Sequence, residues 1–198
     1  LHISRRKCKM WVKIIVASIP AGVVGILWDD VFTKYFYNYQ TVAIMLILVG
    51  VVFILVERAN KNKVARVDSI DDISYGQAFM IGVFQMIAAI FPGTSRSGST
   101  IVGSLMLGIS RTAAAEFTFF LAVPAMFGGS AIKILKYDGG FNSSEVALLA
   151  IGMIVAFVLS IIAIKFLMSY IKKHDFKAFG WYRIVLGVAV IGYFLATR

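Results

Sequence analysis

The sequence predicts an all-α integral membrane protein with about five transmembrane helices and one re-entrant helix pair. Of its 198 residues, 60% are hydrophobic and only 15% are charged, and the mean hydropathy is +0.85. A soluble domain is closer to half apolar, with about a quarter of its residues charged. The apolar residues also group into segments long enough for a helix to cross a bilayer. Because the alternating pattern of an outer-membrane barrel is absent, these segments are predicted to be helices.

Five segments are predicted to cross the membrane: residues 11–28, 41–56, 113–135, 146–170 and 179–197. The second is short and needs its flanks to complete a span. Neither a soluble domain nor a low-complexity tract interrupts the chain, so residues 1–198 are predicted to form a single membrane domain. The chain begins with leucine rather than methionine, and we expect that an N-terminal portion is missing.

Segment 76–109 differs from the five spans. Its apolar halves, 76–91 and 98–109, are each too short to cross, and the polar stretch FPGTSRSGST joins them. Short hydrophobic segments interrupted by glycine and proline favour a re-entrant helix pair that lines a site near the middle of the membrane. The alternative is one long helix kinked at Pro92.

The distribution of cations favours the re-entrant layout. If 76–109 enters and leaves on one side, thirteen of the lysines and arginines share a face and three lie opposite. If 76–109 crosses, the asymmetry weakens to nine against seven. Cytoplasmic loops carry the excess of cations, so the basic loops are predicted to be cytoplasmic.

The net charge of +10 does not indicate nucleic-acid binding. The cations lie in short segments between apolar stretches, as expected for topology signals and for contact with anionic lipid headgroups. The single cysteine, Cys8, excludes an internal disulfide, and no His/Cys cluster suggests a zinc site.

The polar stretch has the chemistry of an anion site. Proline and glycine end one helix, and Ser95 or Ser97 can cap the next. The first turn of a helix has unpaired N–H groups and the positive end of the dipole. The Arg96 guanidinium can bind phosphate through two hydrogen bonds. With the hydroxyls of Ser95, Ser97 and Thr100, these groups predict a phosphate site.

Helix packing is the competing interpretation of part of this segment. Thr100, Ser104 and Gly108 recur at every fourth residue, a pattern typical of close helix contacts. Thr100 could serve both roles. Packing of small residues does not account for Arg96. An arginine at membrane depth costs roughly 2.5 kcal/mol or more, so its presence indicates a function.

Three further polar residues have two interpretations each. Glu116 is either a carboxylate favoured near a helix N-terminus or a partner for Arg96 or a metal. Gln77 and Gln85 lie on one face of the first half of the pair. They either line the site or form hydrogen bonds across helices.

The stretch Pro92–Thr100 resembles the P-G-x-S-R-S-G-x-T motif of the undecaprenyl-diphosphate phosphatase family, the bacitracin-resistance proteins. The flanks DDISYGQAFMIGVFQ (71–85) and GISRTAAAEFTFFLAVPAM (108–126) are also similar to that family. The resemblance covers essentially the whole chain, which matches the C-terminal part of the family pattern.

The resemblance implies a hydrolase of the bacterial plasma membrane that converts undecaprenyl diphosphate to undecaprenyl phosphate for cell-wall synthesis. It implies a multi-pass fold that is the second half of an inverted repeat, and a divalent cation, Mg²⁺ or Ca²⁺, as cofactor. The expected partners are the polyprenyl diphosphate substrate and membrane lipids, with a homodimer as a candidate assembly.

The resemblance also assigns residues. Arg96, Ser95 and Ser97 become the catalytic set, and the substrate-binding set is Gly93, Thr94, Gly98, Thr100 and Gln85. The family's glutamate-rich stretch and its P-V-S-S-T-G-H motif do not occur here. By resemblance, Gln85 and Ala89 stand at the positions in this repeat that correspond to the two glutamates, and neither has a carboxylate. No metal ligand is therefore assigned in this chain.

The runner-up function is a transporter or channel for an anion or a phosphorylated lipid. A re-entrant pair with an arginine at its tip would serve either function. Nearby carboxylates with a catalytic histidine or serine would favour hydrolysis, which needs them, over transport. A purely structural membrane subunit leaves Arg96 unexplained.

Overall fold

A computed structural model of the protein describes residues 5–137, 139–140 and 142–197. These residues form seven α-helices and no β-strand. Five of the helices are long and apolar enough to cross a membrane, which confirms the predicted all-α class and the five spans. The helices are α1 (Arg5–Phe36), α2 (Tyr39–Asn60), α3 (Tyr75–Ile90), α4 (Arg96–Met106), α5 (Arg111–Leu135), α6 (Ser143–Ile171) and α7 (Lys177–Ala196).

Short polar side chains determine where several helices begin. Each accepts a hydrogen bond from a backbone N–H group of the first turn, which would otherwise be unpaired. The caps of this kind at α2, α3, α5 and α6 are Asn38, Ser74, Ser110 and Asn142. Helix α2 is longer than its predicted span: its 22 residues give about 33 Å, enough to cross a bilayer.

Helices α3 and α4 form a hairpin, so the single helix kinked at Pro92 is wrong. The end of α4 returns to the start of α3, where the Gln77 side chain donates a hydrogen bond to the Leu107 carbonyl (3.5 Å). The preceding loop joins the same end, since the Arg66 N–H donates to the Gly108 carbonyl at 2.8 Å. Gln77 thus bonds across the hairpin. The re-entrant placement of this hairpin in a membrane stays a prediction.

The helices pack as two groups around this hairpin. Helix α1 lies along α3 and contacts α5, with Ile14, Ile81 and Phe117 in the shared core. Helix α2 lies along α7, so closely that a Cβ atom on Gly50 would be 2.7 Å from the Gly180 carbonyl. Helix α6 packs on the rest only near its C-terminal end.

A buried ion pair fastens the end of the hairpin opposite its tip. Glu57, in the last turns of α2, is only 1% exposed. Its carboxylate accepts hydrogen bonds from the Arg111 guanidinium, at the start of α5, and from the Phe176 N–H group (3.1 Å), before α7. Three segments distant in sequence are therefore held at one carboxylate.

Candidate functional site

The loop Phe91–Ser95, called the tip loop below, joins α3 to α4 and reaches the backbone of α2. Gly93 makes this approach feasible. Its φ is +88°, and a Cβ atom there would lie 2.5 Å from the Val42 carbonyl oxygen. A larger residue would be strained and would push the loop away from α2. Gly93, predicted to bind substrate, therefore places the tip loop.

Ser95 caps α4 from a strained conformation. Its Oγ accepts a hydrogen bond from the Gly98 N–H (3.2 Å), and its Oγ lies 3.4 Å from that of Ser97. Its φ of +65° is the one positive value found at a non-glycine residue within the described ranges. Such a conformation costs about 1–3 kcal/mol, and residues that hold one cluster at functional sites.

The first turn of α4 presents unpaired donors. Within the part of the chain that the structure describes, the backbone N–H groups of Ser95, Arg96 and Ser97 have no acceptor. The Arg96 guanidinium likewise forms no ion pair or hydrogen bond with any described residue. Three amides at the positive end of a helix and a free guanidinium together suit a phosphate.

Arg183 of α7 holds the tip loop from the other side. It is 9% exposed, and its guanidinium donates to the carbonyl oxygens of Gly93 (2.5 Å) and Thr94 (2.7 Å). With these carbonyls bound, the loop is held in one orientation. From the sequence, Arg183 received no role. The available signal was an arginine inside an apolar span, which is costly at membrane depth.

The three predicted catalytic residues do not face one cavity. Arg96 lines a cavity of about 450 Å³ between α1, α3 and α5, called the Arg96 cavity below. Ser95 and Ser97 instead line a cavity of about 190 Å³ between α2, α5, α6 and α7. Arg183 is also at this second cavity. The first turn of α4 therefore contributes to two separate cavities.

Three buried polar atoms in or beside the tip loop have no partner among the described residues: Gln85 Oε1, Thr94 Oγ1 and Arg183 Nε. Gln85, 4% exposed, lines the Arg96 cavity, and its Oε1 atom accepts no hydrogen bond. The Thr94 Oγ1 atom is also buried and unpaired. Buried polar groups are nearly always satisfied, so unsatisfied ones beside a cavity suggest ligand contacts. This location agrees with the interpretation that Gln85 lines the site.

Thr100 and Gly98 have structural contacts in the first turns of α4. The Thr100 hydroxyl is fully buried, lies 2.9 Å from the Thr118 hydroxyl of α5, and donates to the Arg96 carbonyl (3.1 Å). Ser104 is buried as well and donates to the Thr100 carbonyl at 2.7 Å. These contacts agree with the packing interpretation for Thr100 and Ser104, whereas Gly108 lies in a turn beyond α4 with a φ of +80° and is not on that helix face. Substrate contacts of Thr100 and Gly98 stay predictions.

The residues near Arg96 do not form a metal site by themselves. Across the described residues, no group of three His, Cys, Asp or Glu side chains could hold a metal ion. None of the described residues that line the Arg96 cavity has a carboxylate. Glu116 forms no ion pair with Arg96 in this part of the chain. Hard divalent cations require several oxygen ligands, so Gln85 alone does not fit one.

Comparison with known proteins relates this chain to a known family. A family model described as bacitracin resistance protein BacA matches residues 2–189. An undecaprenyl-diphosphatase of Desulfitobacterium hafniense is 63% identical over 99% of this chain and 70% of its own length. Undecaprenyl-diphosphatase 1 of Clostridium acetobutylicum is 58% identical over 98% of the chain and 71% of its length. An undecaprenyl-diphosphatase of Acetivibrio thermocellus is 50% identical over the whole chain and 72% of its length.

Proposed function

We propose, from the premise that the chain belongs to the bacitracin resistance protein BacA family, that it hydrolyses undecaprenyl diphosphate. The reaction breaks the phosphoanhydride bond, transfers the terminal phosphoryl group to water, and leaves undecaprenyl phosphate and inorganic phosphate. The names of the relatives support this reaction and give no support to the transport alternative.

The observation that carries the proposal is the unpaired donor set at the first turn of α4. Phosphoryl transfer is accelerated chiefly by positioning and by charges that stabilise the transferring group. The Arg96 guanidinium and the amides of Ser95, Arg96 and Ser97 supply that charge without competition from a protein carboxylate among the described residues. Arg183 keeps the loop carbonyls turned away from the anion by binding them.

Ser95 and Ser97 are proposed as catalytic residues that contact the diphosphate from the second cavity, while Arg96 contacts it from the first. The diphosphate is proposed to lie at the N-terminal end of α4, where all three residues stand in sequence. Gln85, with its unpaired Oε1, is proposed to accept a hydrogen bond from a phosphate hydroxyl or a bound water.

The protein is a multi-pass membrane protein, with five helices long enough to span. We place it in the bacterial plasma membrane, where recycling the carrier lipid would sustain cell-wall synthesis and confer bacitracin resistance. A homodimer stays a prediction. A requirement for Mg²⁺ or Ca²⁺ is proposed from the family resemblance alone. Because the described residues offer no ligand set, no step above uses the ion.

The test is phosphate release by the complete membrane protein purified in detergent and given undecaprenyl diphosphate. Detergent removes the two compartments that transport requires, so phosphate appears only if the anhydride bond is broken. Chelation followed by addition of Mg²⁺ or Ca²⁺ tests the cation requirement in the same assay. Absence of phosphate release under every cation condition would contradict the proposed reaction.

A further inference from the structure

We infer that the cavity beside Ser95 and Ser97 binds the first isoprene units of the lipid substrate, an inference that rests on the proposed function. This cavity, called the aromatic cavity below, is lined by Phe53, Phe119, Phe176, Phe179 and Leu167 on its apolar sides. It lies against the same turn of α4 as the phosphate-binding donors, so a chain attached to a bound diphosphate can enter it directly.

The two cavities that flank α4 differ in the size of the side chains around them. The Arg96 cavity is walled largely by glycine and alanine, including Gly22, Gly25, Gly128 and Gly129. Four phenylalanines surround the aromatic cavity. Large rings bring many more atoms into van der Waals contact with a methyl-branched, unsaturated chain. The prenyl chain therefore gains more contact in the aromatic cavity.

The aromatic cavity has both polar and apolar lining residues. The polar side chains are those of Ser95, Ser97, Thr118, Tyr182 and Arg183, and the other lining side chains are apolar. An amphiphile with an anionic head and an apolar chain matches this distribution. Its head lies at Ser95 and Ser97, and its chain extends along the rings.

Helix α6 forms part of the wall of the aromatic cavity with its C-terminal end. Only the last turns of α6 pack on the other helices, through Leu167, Met168 and Ile171. The stretch from 151 to 166 is exposed along its whole length. Tyr182, at the edge of the cavity, is 65% exposed. We infer that a lipid chain enters the cavity beside Tyr182.

The volume of the cavity limits how much of the chain it holds. It measures about 190 Å³, and a cavity of about 150 Å³ in another protein binds benzene, a six-carbon ring. The aromatic cavity thus holds about one or two five-carbon units, and the remaining units stay in the membrane. We expect the enzyme to distinguish substrates with and without the first isoprene units, and to distinguish longer chains only weakly.

Kinetics of matched variants test this inference. Phe119 lines the cavity, whereas its neighbour Phe120 contacts Trp11 on another side of α5. In Phe119→Ala, kcat/KM for farnesyl diphosphate should fall about 10- to 100-fold, with methyl diphosphate turnover unchanged. Phe120→Ala should change neither by more than about threefold. Equal losses for the two substrates in Phe119→Ala, or the same loss in Phe120→Ala, would overturn the inference.

Photolabelling of the wild-type protein gives a result that does not depend on a variant's folding or on turnover. The probe is a farnesyl methylene-diphosphonate with a diazirine on its first isoprene unit. Labels should appear near Phe119 and Phe179, on α5 and α7. Labels confined to α1 around Gly22 and Gly25 would place the chain in the Arg96 cavity and overturn the inference. A wild-type protein that is labelled at Phe119 but releases no phosphate would contradict the proposed function alone.

Discussion

Two arginines at opposite ends of the α3–α4 hairpin have opposite surroundings. Arg111, beyond the base of the hairpin, binds the fully buried carboxylate of Glu57 through two nitrogen atoms. Arg96, at the tip, has no partner among the described side chains. Both begin a helix in an apolar protein, so the difference does not come from their local sequence.

The contrast separates a compensated charge from an uncompensated one. A charge removed from water is tolerated when a partner and hydrogen bonds compensate it, as at Glu57. An uncompensated guanidinium reduces stability, and unsatisfied groups of this kind concentrate at sites that bind a ligand. Five predictions test this comparison.

The largest effect is expected at Arg96. Arg96→Ala and Arg96→Lys should each lower the rate of phosphate release by about 10³- to 10⁵-fold, since a lysine provides a point charge instead of a two-pronged contact. Thermal stability should remain unchanged or rise. The exposed Arg58→Lys serves as the control and should retain normal activity. Near-normal turnover of Arg96→Lys would show that the clamp assignment is wrong.

At the base, Glu57→Gln should destabilise the protein by about 1–3 kcal/mol, because the buried side chain no longer accepts charged hydrogen bonds from Arg111, which is 37% exposed. Thermal unfolding in detergent measures the loss, and activity per folded molecule should persist. The double variant Glu57→Gln with Arg111→Gln should recover part of the stability. An unchanged melting temperature in the single variant would refute a structural role for this pair.

Arg183→Gln should affect stability and activity together. Two loop carbonyls lose their donor, which costs roughly 1–3 kcal/mol, and the loosened loop should lower phosphate release by about tenfold. Arg183→Lys, which can still donate to one carbonyl, should recover part of both. If activity falls about as far as in Arg96→Ala while stability is unaffected, Arg183 contacts the substrate instead of positioning the loop.

Ser95 permits a test of strain. Ser95→Ala loses the cap, at a cost of about 1 kcal/mol, and keeps the positive φ. Ser95→Gly loses the hydroxyl too but relieves the strain, so it should be at least about 1 kcal/mol more stable than Ser95→Ala. Thermal unfolding of the two variants gives the difference directly. Equal stabilities would mean that the backbone at Ser95 is not strained in solution.

The smallest effect is expected for Asp175, which pairs with Lys177 at 2.8 Å near the protein surface. A hydrogen bond from Lys177 lowers the pKa of Asp175 below its ordinary value of 3.8. A carboxyl group whose pKa is lowered by folding stabilises the protein at pH values above its ordinary pKa. This stabilisation is lost as the pH falls through the folded-state pKa. Asp175→Asn should cost less than about 0.5 kcal/mol at pH 7 and nothing below the folded-state pKa. A loss comparable to that of Glu57→Gln would remove the distinction between buried and exposed pairs.

The sequence by itself determined the helices and the chemical character of the tip. Hydropathy and capping residues act over a few neighbouring positions, so the five spans and the break between α3 and α4 could be predicted. The bounds agree to within four residues except at α1, which extends six residues before and eight residues beyond the predicted 11–28. The prediction of an anion site at Arg96, between Ser95 and Ser97, likewise depends on neighbouring residues. Each of these features depends on residues adjacent in the chain.

Tertiary structure alone decided which groups face each other. Arg183 binds carbonyls 89 and 90 positions earlier in the chain, and Glu57 binds an arginine 54 positions later. The hydrophobic periodicity of the sequence does not predict such pairs, because they depend on how α2, α5 and α7 pack. The same packing turned Arg96 and Ser97 towards different cavities and buried the Thr100 hydroxyl against Thr118. The physical reason is that hydropathy and capping depend on residues close in the chain. The surroundings of a side chain depend instead on helices that are distant in sequence and pack against it.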